Sequence, residues 1–233
     1  MILLAMDTST SAITVAVHDG IRVLAERSVI DARAHTEHLA PLIVEALAAA
    51  GAGPAEVTDV AVGVGPGPFT GLRVGLVTAK TFAFARGIPC RGVVSLDALA
   101  HAAVSAGFLE GARQFIVATD ARRKEVYLAR YSVEDGRMQR AGDPEVIRPA
   151  DIPEMLRALP AVGRGPVLYP EIFTSPITML DASAGALAEV ALQQTAEGCE
   201  VGLDALYLRR PDAQPTVAPK STIMAPAPRG ERP

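Results

Sequence analysis

The chain has 233 residues and a mass of 24.3 kDa, with 49% hydrophobic and 21% charged side chains. That length buries a core as one large domain or two small ones, and the composition excludes collagen-like, fibrous and wholly disordered chains. Residues 1–100 and 101–233 each carry a net −2, aromatics are 4% and Trp is absent, so no broad positive field or base-stacking platform stands out and the chain alone reads as a poor nucleic-acid binder.

The opening Met1-Ile2-Leu3-Leu4-Ala5-Met6 is cut off by Asp7 with no basic residue before it, unlike a signal peptide, and no apolar run approaches the ~20 residues of a membrane span. Residues 2–7, 12–19 and 21–30 read as an antiparallel meander with Asp19-Gly20 as a hairpin turn. A helix is predicted over 36–50, with Leu39, Leu42, Ile43, Ala46, Leu47 and Ala50 on one stripe and Gly51 as its stop. Pro41 lacks a backbone donor, so the regular part is expected to begin there. Asp59-Val60-Ala61-Val62-Gly63-Val64 reads as a buried parallel strand. Gly65-Pro66-Gly67-Pro68-Phe69-Thr70-Gly71 then opens a helix ending near Arg86, with Gly87 and Pro89 closing it. A strand at 90–94 follows, and Ser95 is expected to cap a helix to about Ser105. The order βββ-α-β-α-β-α predicts an α/β fold with a mixed sheet.

The pattern then restarts. A strand over 114–120 ends in Asp120, as the first ends in Asp7; a β-rich stretch over 124–133 leads to Glu134-Asp135-Gly136, as 12–17 leads to Asp19-Gly20. The chain therefore reads as a duplication. Seven prolines break the stretch from Pro144 to Pro176, one helix is predicted over 182–195, and 203–209 reads as a short amphipathic segment. From Pro211 the chain holds 6 of its 18 prolines and is expected to be a disordered tail.

Four constellations carry candidate chemistry. At the Asp7-Thr8-Ser9-Thr10 corner, short hydroxyl residues leave N–H groups for a phosphate and the Asp suits a hydrated Mg²⁺; the alternative is a corner bonded to itself. The Gly-Pro-Gly-Pro-Phe-Thr-Gly loop opens a helix but lacks the Gly-Lys-Ser/Thr of a Walker loop. Its stiffness and the following Gly75 suit a docking edge, or only helix packing. His35-Thr36-Glu37-His38 has two imidazoles at i, i+3, a weak metal pattern against a plain solvated helix start. At Asp120-Ala121-Arg122-Arg123-Lys124, cations could hold an anion, pair with a partner's carboxylates, or merely face water. Cys90 and Cys199 have no His beside them in sequence and make no disulfide framework, which points to a cytoplasmic setting.

Asp7-Thr8-Ser9-Thr10 with Val15-Ala16-Val17, His35 with Leu42-Ile43, the 65–73 loop, Asp120-Ala121-Arg122-Arg123 with Glu125-Val126-Tyr127, and Tyr207-Leu208-Arg209 together resemble the TsaB family, also called YeaZ. The resemblance spans about 1–210. It implies an actin-like/Hsp70-like ATPase (ribonuclease H-like) fold of two related subdomains, 1–106 and a reduced 107–210, with 211–233 as the tail. It also implies a non-catalytic role, as scaffold and activator of a TsaD-like catalytic paralogue. With a TsaE-like ATPase, that pair would transfer a threonylcarbamoyl group to N6 of adenosine 37 in ANN-decoding tRNAs. A homodimer is implied when the paralogue is missing, tRNA would be met only indirectly, and no cofactor of its own is implied beyond a nucleotide at the joint. The sister enzymes' His-x-Glu-Gly-His metal motif is replaced here by Ser95-Leu96-Asp97-Ala98-Leu99. Two positions depart from the family pattern: Pro68, where Ser is usual, and Lys124, where Gly is frequent.

On this reading Asp7, Thr8 and Ser9 are a vestigial phosphate loop, with Asp120, Arg122 and Arg123 as the second-half turn. The partner seam is expected at Leu39, Leu42, Ile43, Ala46 and Ala49 on the first helix and at Gly67, Phe69, Thr70, Gly71, Arg73 and Val74 on the second. The rivals are a stand-alone ATPase or phosphotransferase using Asp7 and Asp120, a metallopeptidase using His35 and His38, and a homodimeric module with no tRNA link.

Overall fold

Alternating side chains that are apolar on both faces place β1 (Leu3–Asp7) and β2 (Ala12–His18) inside a sheet, and both are buried at every position. The computed structural model describes residues 1–199 and 201–209, so the tail from 211 lies outside the described residues. β3 (Val23–Ile30) forms the half-exposed edge of the first sheet, and α1 (His35–Ala49) leads to β4 (Asp59–Gly65). α2 (Phe69–Arg86) leads to β5 (Cys90–Val94), and α3 (Ser95–Ser105) follows at once. The sheet order is β3-β2-β1-β4-β5, with the β3–β2 and β2–β1 pairs antiparallel and β4 and β5 parallel to β1.

The second sheet repeats this plan. β6 (Gln114–Asp120), β7 (Val126–Glu134) and β8 (Arg137–Arg140) are antiparallel; β10 (Pro160–Val162) and β11 (Ser175–Pro176) run parallel to β6. The order β11-β10-β6-β7-β8, read from its own first strand, is the order of the first sheet. A short β9 (Glu145–Ile147) also pairs with β7. The reduction lies in the crossovers. α4 (Glu154–Arg157) and α5 (Gly165–Leu168) have four residues each, against 15 and 18 for α1 and α2. Prolines explain part of this: Pro153 caps α4, Pro160 opens β10 and Pro166 sits in the first turn of α5, where a missing N–H costs least.

Leu4, Met6, Val15 and Val17 pack with Leu39, Leu42 and Leu76 of α1 and α2, while Leu3, Ala5 and Ala16 face Leu187 and Val190 of α6 (Ala184–Glu197). α6 thus returns under the first sheet and against α3, and α3 lies between the two sheets, touching β4 and β5 on one side and β6, β7 and β8 on the other. The fold is α/β, with two sheets of one strand order and a reduced second half.

Two local expectations are corrected. α1 begins at His35 and carries Pro41 inside it; Pro41 and Glu37 one turn back, whose carbonyl loses its donor, are both exposed residues on the solvent side of the helix. Ser95 does not cap α3; the N-cap is Val94, and the Ser95 hydroxyl is engaged elsewhere. Residues 203–209 are amphipathic as expected, a strap with Leu203, Ala205, Leu206 and Leu208 against the core; Val201 bridges Gly92, and the Leu206 N–H donates to the Val64 carbonyl at 2.8 Å.

Candidate functional site

The β1–β2 corner is bonded to itself and then covered. The Ser9 N–H and hydroxyl both donate to Asp7 Oδ1 at 2.6 Å, and the Ser95 hydroxyl donates to Asp7 Oδ2 at 2.5 Å. Thr8 Oγ1 donates to the Gly71 carbonyl at 2.7 Å and accepts the Gly75 N–H at 3.1 Å. The Asp7 side chain is completely buried, and burial pushes its carboxyl above the usual carboxylate range, against the pull of the Ser9 and Ser95 hydrogen bonds. The loop at 65–71 is the lid on this corner. A Cβ at Gly67 would strike the Ser9 backbone, and one at Gly71 would sit 2.6 Å from the Thr8 carbonyl oxygen. The glycines are there because the loop backbone lies directly on the corner.

Asp7, Thr8 and Ser9 therefore do not fit a phosphate or a hydrated Mg²⁺. The carboxylate oxygens and the Ser9 N–H are occupied, and the approach is filled by backbone. Between the halves, Ser9, Thr10, Pro68, Thr119, Asp120 and Arg122 line a cavity of ≈ 10 Å³, room for about one water. Arg164 and Asp181 line it too, clasped by two hydrogen bonds at 2.7 and 2.6 Å.

The second corner is open. Asp120 Oδ1 accepts the Arg122 N–H at 2.7 Å, and its Oδ2 lies 3.3 Å from the Arg122 guanidinium. Arg122, Arg123 and Lys124 are all exposed and all left-handed, with φ of 61°, 51° and 61°. No glycine marks that backbone; the one sequence signal is Lys124, standing where the family frequently has Gly.

The expected seam divides. Leu39, Leu42, Ile43 and Ala46 are buried in the chain's own core, and Gly67 and Gly71 are buried against the corner, so these six cannot meet a partner. The stripe read as a docking face is the one that holds α1 to its sheet. Ala49, Phe69, Thr70 and Arg73 are exposed and Val74 is half-buried. The most exposed large apolar residues on these helices are Val44, Val77 and Phe84, at 66%, 61% and 89%. Their signal in the sequence was an apolar side chain off the stripe.

The histidine pair separates. His35 is buried with Nε2 3.1 Å from the Thr10 carbonyl oxygen, pinning α1 to the corner, while His38 faces Asp31 at 3.8 Å. Among the described residues no three His, Cys, Asp or Glu side chains gather as a metal site. Burial raises the Cys90 thiol to about 11, which disarms it as a nucleophile. Sequence reasoning missed the joint between the halves. The Tyr131 hydroxyl donates to Asp97 Oδ1 at 2.8 Å, the same oxygen lies 3.0 Å from Arg140 Nε, and the Tyr127 hydroxyl donates to the Gly67 carbonyl at 3.2 Å. No helix among the described residues is long and apolar enough to cross a membrane.

Comparison with known proteins adds a family. The model of the TsaD family, tRNA N6-adenosine threonylcarbamoyltransferase, matches residues 25–195. The tRNA threonylcarbamoyladenosine biosynthesis protein TsaB of Escherichia coli is 30% identical over 90% of this chain and 95% of its own length. The uncharacterized protein ML0378 of Mycobacterium leprae is 40% identical over 96% of this chain, which spans 59% of that protein's length. The solved structure of YeaZ from Pseudomonas aeruginosa superposes with a TM-score of 0.75 at 31% identity, covering 90% of this chain and 99% of that one.

Proposed function

The chain belongs to the TsaB (YeaZ) family, and from that premise we propose that it serves the biosynthesis of threonylcarbamoyladenosine on tRNA as a non-catalytic subunit. It pairs with a TsaD-like catalytic paralogue, which carries out the transfer to N6 of adenosine 37 in ANN-decoding tRNAs. A TsaE-like ATPase joins the pair, and two copies of this chain pair when the paralogue is missing. The observation that supports this most is the sealed corner. The position that would handle phosphate in an ATPase of this fold is filled by the chain's own loop. With that position filled, contact is the remaining way for the chain to act, and it needs no cofactor of its own; any nucleotide would lie at the joint with the paralogue.

Val44, Ala48 and Ala49 of α1 with Val77 and Phe84 of α2 supply an apolar outer face for that contact. The match to the TsaD model supports pairing between related folds, in which the same helices of each partner meet about a pseudo-two-fold axis. Binding then acts by favouring the active conformation of the paralogue. The test is reconstitution: threonylcarbamoyl transfer to tRNA by the paralogue and the ATPase, with and without this chain. The expected result is transfer only with the chain present. Equal transfer in its absence would refute the proposal.

A further inference from the structure

The sealed corner is tied to both helices of the proposed contact face. β3 and β4 both run parallel to β1, so α1 and α2 start at the same end of the first sheet, beside the corner, and they touch one another only lightly. The buried Thr8 hydroxyl donates to the Gly71 carbonyl at 2.7 Å and accepts the Gly75 N–H at 3.1 Å. Those two groups stand four residues apart, the acceptor and donor of one rung of an α-helix, so a side chain of the corner is set into the ladder of α2. Glycine at 75 admits it, since a Cβ there would strike Thr8 Oγ1. On the other helix, the first residue of α1 is His35, with Nε2 3.1 Å from the Thr10 carbonyl oxygen. That oxygen only accepts, so the ring donates from Nε2. His35 Nε2 also comes to 3.5 Å from the Cβ position of Gly71, where the two helices meet. The loop leading into α2 is held from the second half, as the Tyr127 hydroxyl donates to the Gly67 carbonyl at 3.2 Å.

We propose that the corner now sets the register of the contact face: Thr8 and His35 are positioning residues that fix α1 and α2 at the offset the catalytic paralogue recognises. Both side chains are buried, so their effect on a partner passes through the helices. Val44 rides on α1, and Val77 and Phe84 ride on α2. A face shared by two helices fits its partner only while their offset is kept, because packed surfaces lose contacts on small displacements. A corner with no ligand and no such task would close best with apolar side chains. This one keeps a hydroxyl and an imidazole, each directed at one helix, and each hydrogen bond leaves an unpaired group if its partner is removed. The inference rests on the functional reading above and deepens it by naming residues that govern pairing from inside the chain.

The test measures pairing apart from stability. The full chain is titrated into the catalytic paralogue at a temperature well below every melting midpoint, so that each variant is fully folded. Thr8→Val keeps the shape of the side chain and removes the hydroxyl. It should weaken pairing about tenfold, within the range for residues that act on a ligand without touching it. Thr8→Ser restores the hydroxyl and should pair within about twofold of wild type. His35→Leu should weaken pairing by a similar factor, and His35→Gln, which still offers a donor, should recover part of it; this pair decides the matter if Thr8→Val does not fold. Transfer to tRNA should fall with pairing and return when the variant chain is saturating. A lower melting midpoint with unchanged affinity in Thr8→Val and His35→Leu would make both bonds structural only. That result overturns the inference and leaves the functional reading intact, as would Thr8→Ser pairing as weakly as Thr8→Val. Loss of transfer in a fully paired Thr8→Val complex would give the corner a chemical role and overturn both. If the wild-type chain does not pair with the paralogue at all, the functional reading falls and takes this inference with it.

Discussion

Asp7 and Asp120 hold equivalent places in two sheets of the same topology, each at the end of a first strand and each followed by a tight turn into an antiparallel neighbour. Around Asp7 the neighbours are small: Gly67 and Gly71 let a loop lie on the corner, and Ser9 and Ser95 fill the carboxylate. Around Asp120 they are large and charged, and the turn faces water. One duplicated element has become a closed structural joint and the other an open cationic edge. The comparison teaches that equivalent corners of one sheet plan end differently according to their neighbours: glycines admit a covering loop at one, and large charged residues leave the other facing water.

The comparison can be broken first at the contact face, where the largest effect is expected. Phe84→Glu places a charge in the proposed seam and should weaken pairing with the paralogue by a hundredfold or more, roughly the loss of a hot-spot residue, while leaving the thermal midpoint of the isolated chain within about 2 °C. Binding by titration calorimetry and melting by circular dichroism check the two halves of that statement. Next comes the joint between the halves. Arg140→Met strands the buried Asp97 carboxylate and should cost about 3 kcal/mol, read as a fall of roughly 6–12 °C in melting. The seal itself is probed by Gly67→Ala, which drives a methyl group into the Ser9 backbone and should cost about 2–3 kcal/mol. The open corner should respond the other way: Lys124→Gly relieves a positive φ and should stabilise the chain by about 1 kcal/mol.

Much of this contrast was legible beforehand, and the parts that were not share a cause. The strands, the Asp-Gly turns and the repeat of Asp7 by Asp120 follow from alternation and turn chemistry acting over a few residues. Ser95 was misread as a cap because its partner, Asp7, is 88 positions away, and no local rule reports such a bond. Leu39, Leu42, Ile43 and Ala46 were correctly seen as an apolar stripe, yet periodicity cannot say whether a stripe faces its own sheet or another protein. The left-handed run from Arg122 to Lys124 left one signal, Lys124 in place of a frequent Gly, because the residues that normally mark such backbone are absent. The strap at 201–209 was legible as amphipathic, with Leu203, Ala205, Leu206 and Leu208 against the core, but its place beside Val64, Gly92 and Arg73 is set by residues far away in the chain.

The smallest expected effect concerns pH. Burial raises the Asp7 carboxyl above its ordinary value of 3.8, so the folded chain holds that proton more tightly than the unfolded one. Its contribution to stability is complete below the ordinary value and is lost as pH rises through the raised one. Asp7→Asn removes the titration, so the stability of the variant relative to wild type should improve as pH rises from about 4, measured by urea unfolding across the acid range. A difference that stays constant with pH would mean that Asp7 titrates alike in both states.

The central claim is that this chain acts by contact and not by chemistry at its inherited corner. The most direct measurement is threonylcarbamoyl transfer to tRNA by the reconstituted complex with two variants of this chain side by side, Asp7→Asn and Phe84→Glu, each shown to be folded. The account predicts transfer close to the wild-type rate with Asp7→Asn and loss of transfer with Phe84→Glu. Full transfer with Phe84→Glu, together with its loss in a folded and properly paired Asp7→Asn complex, would contradict it.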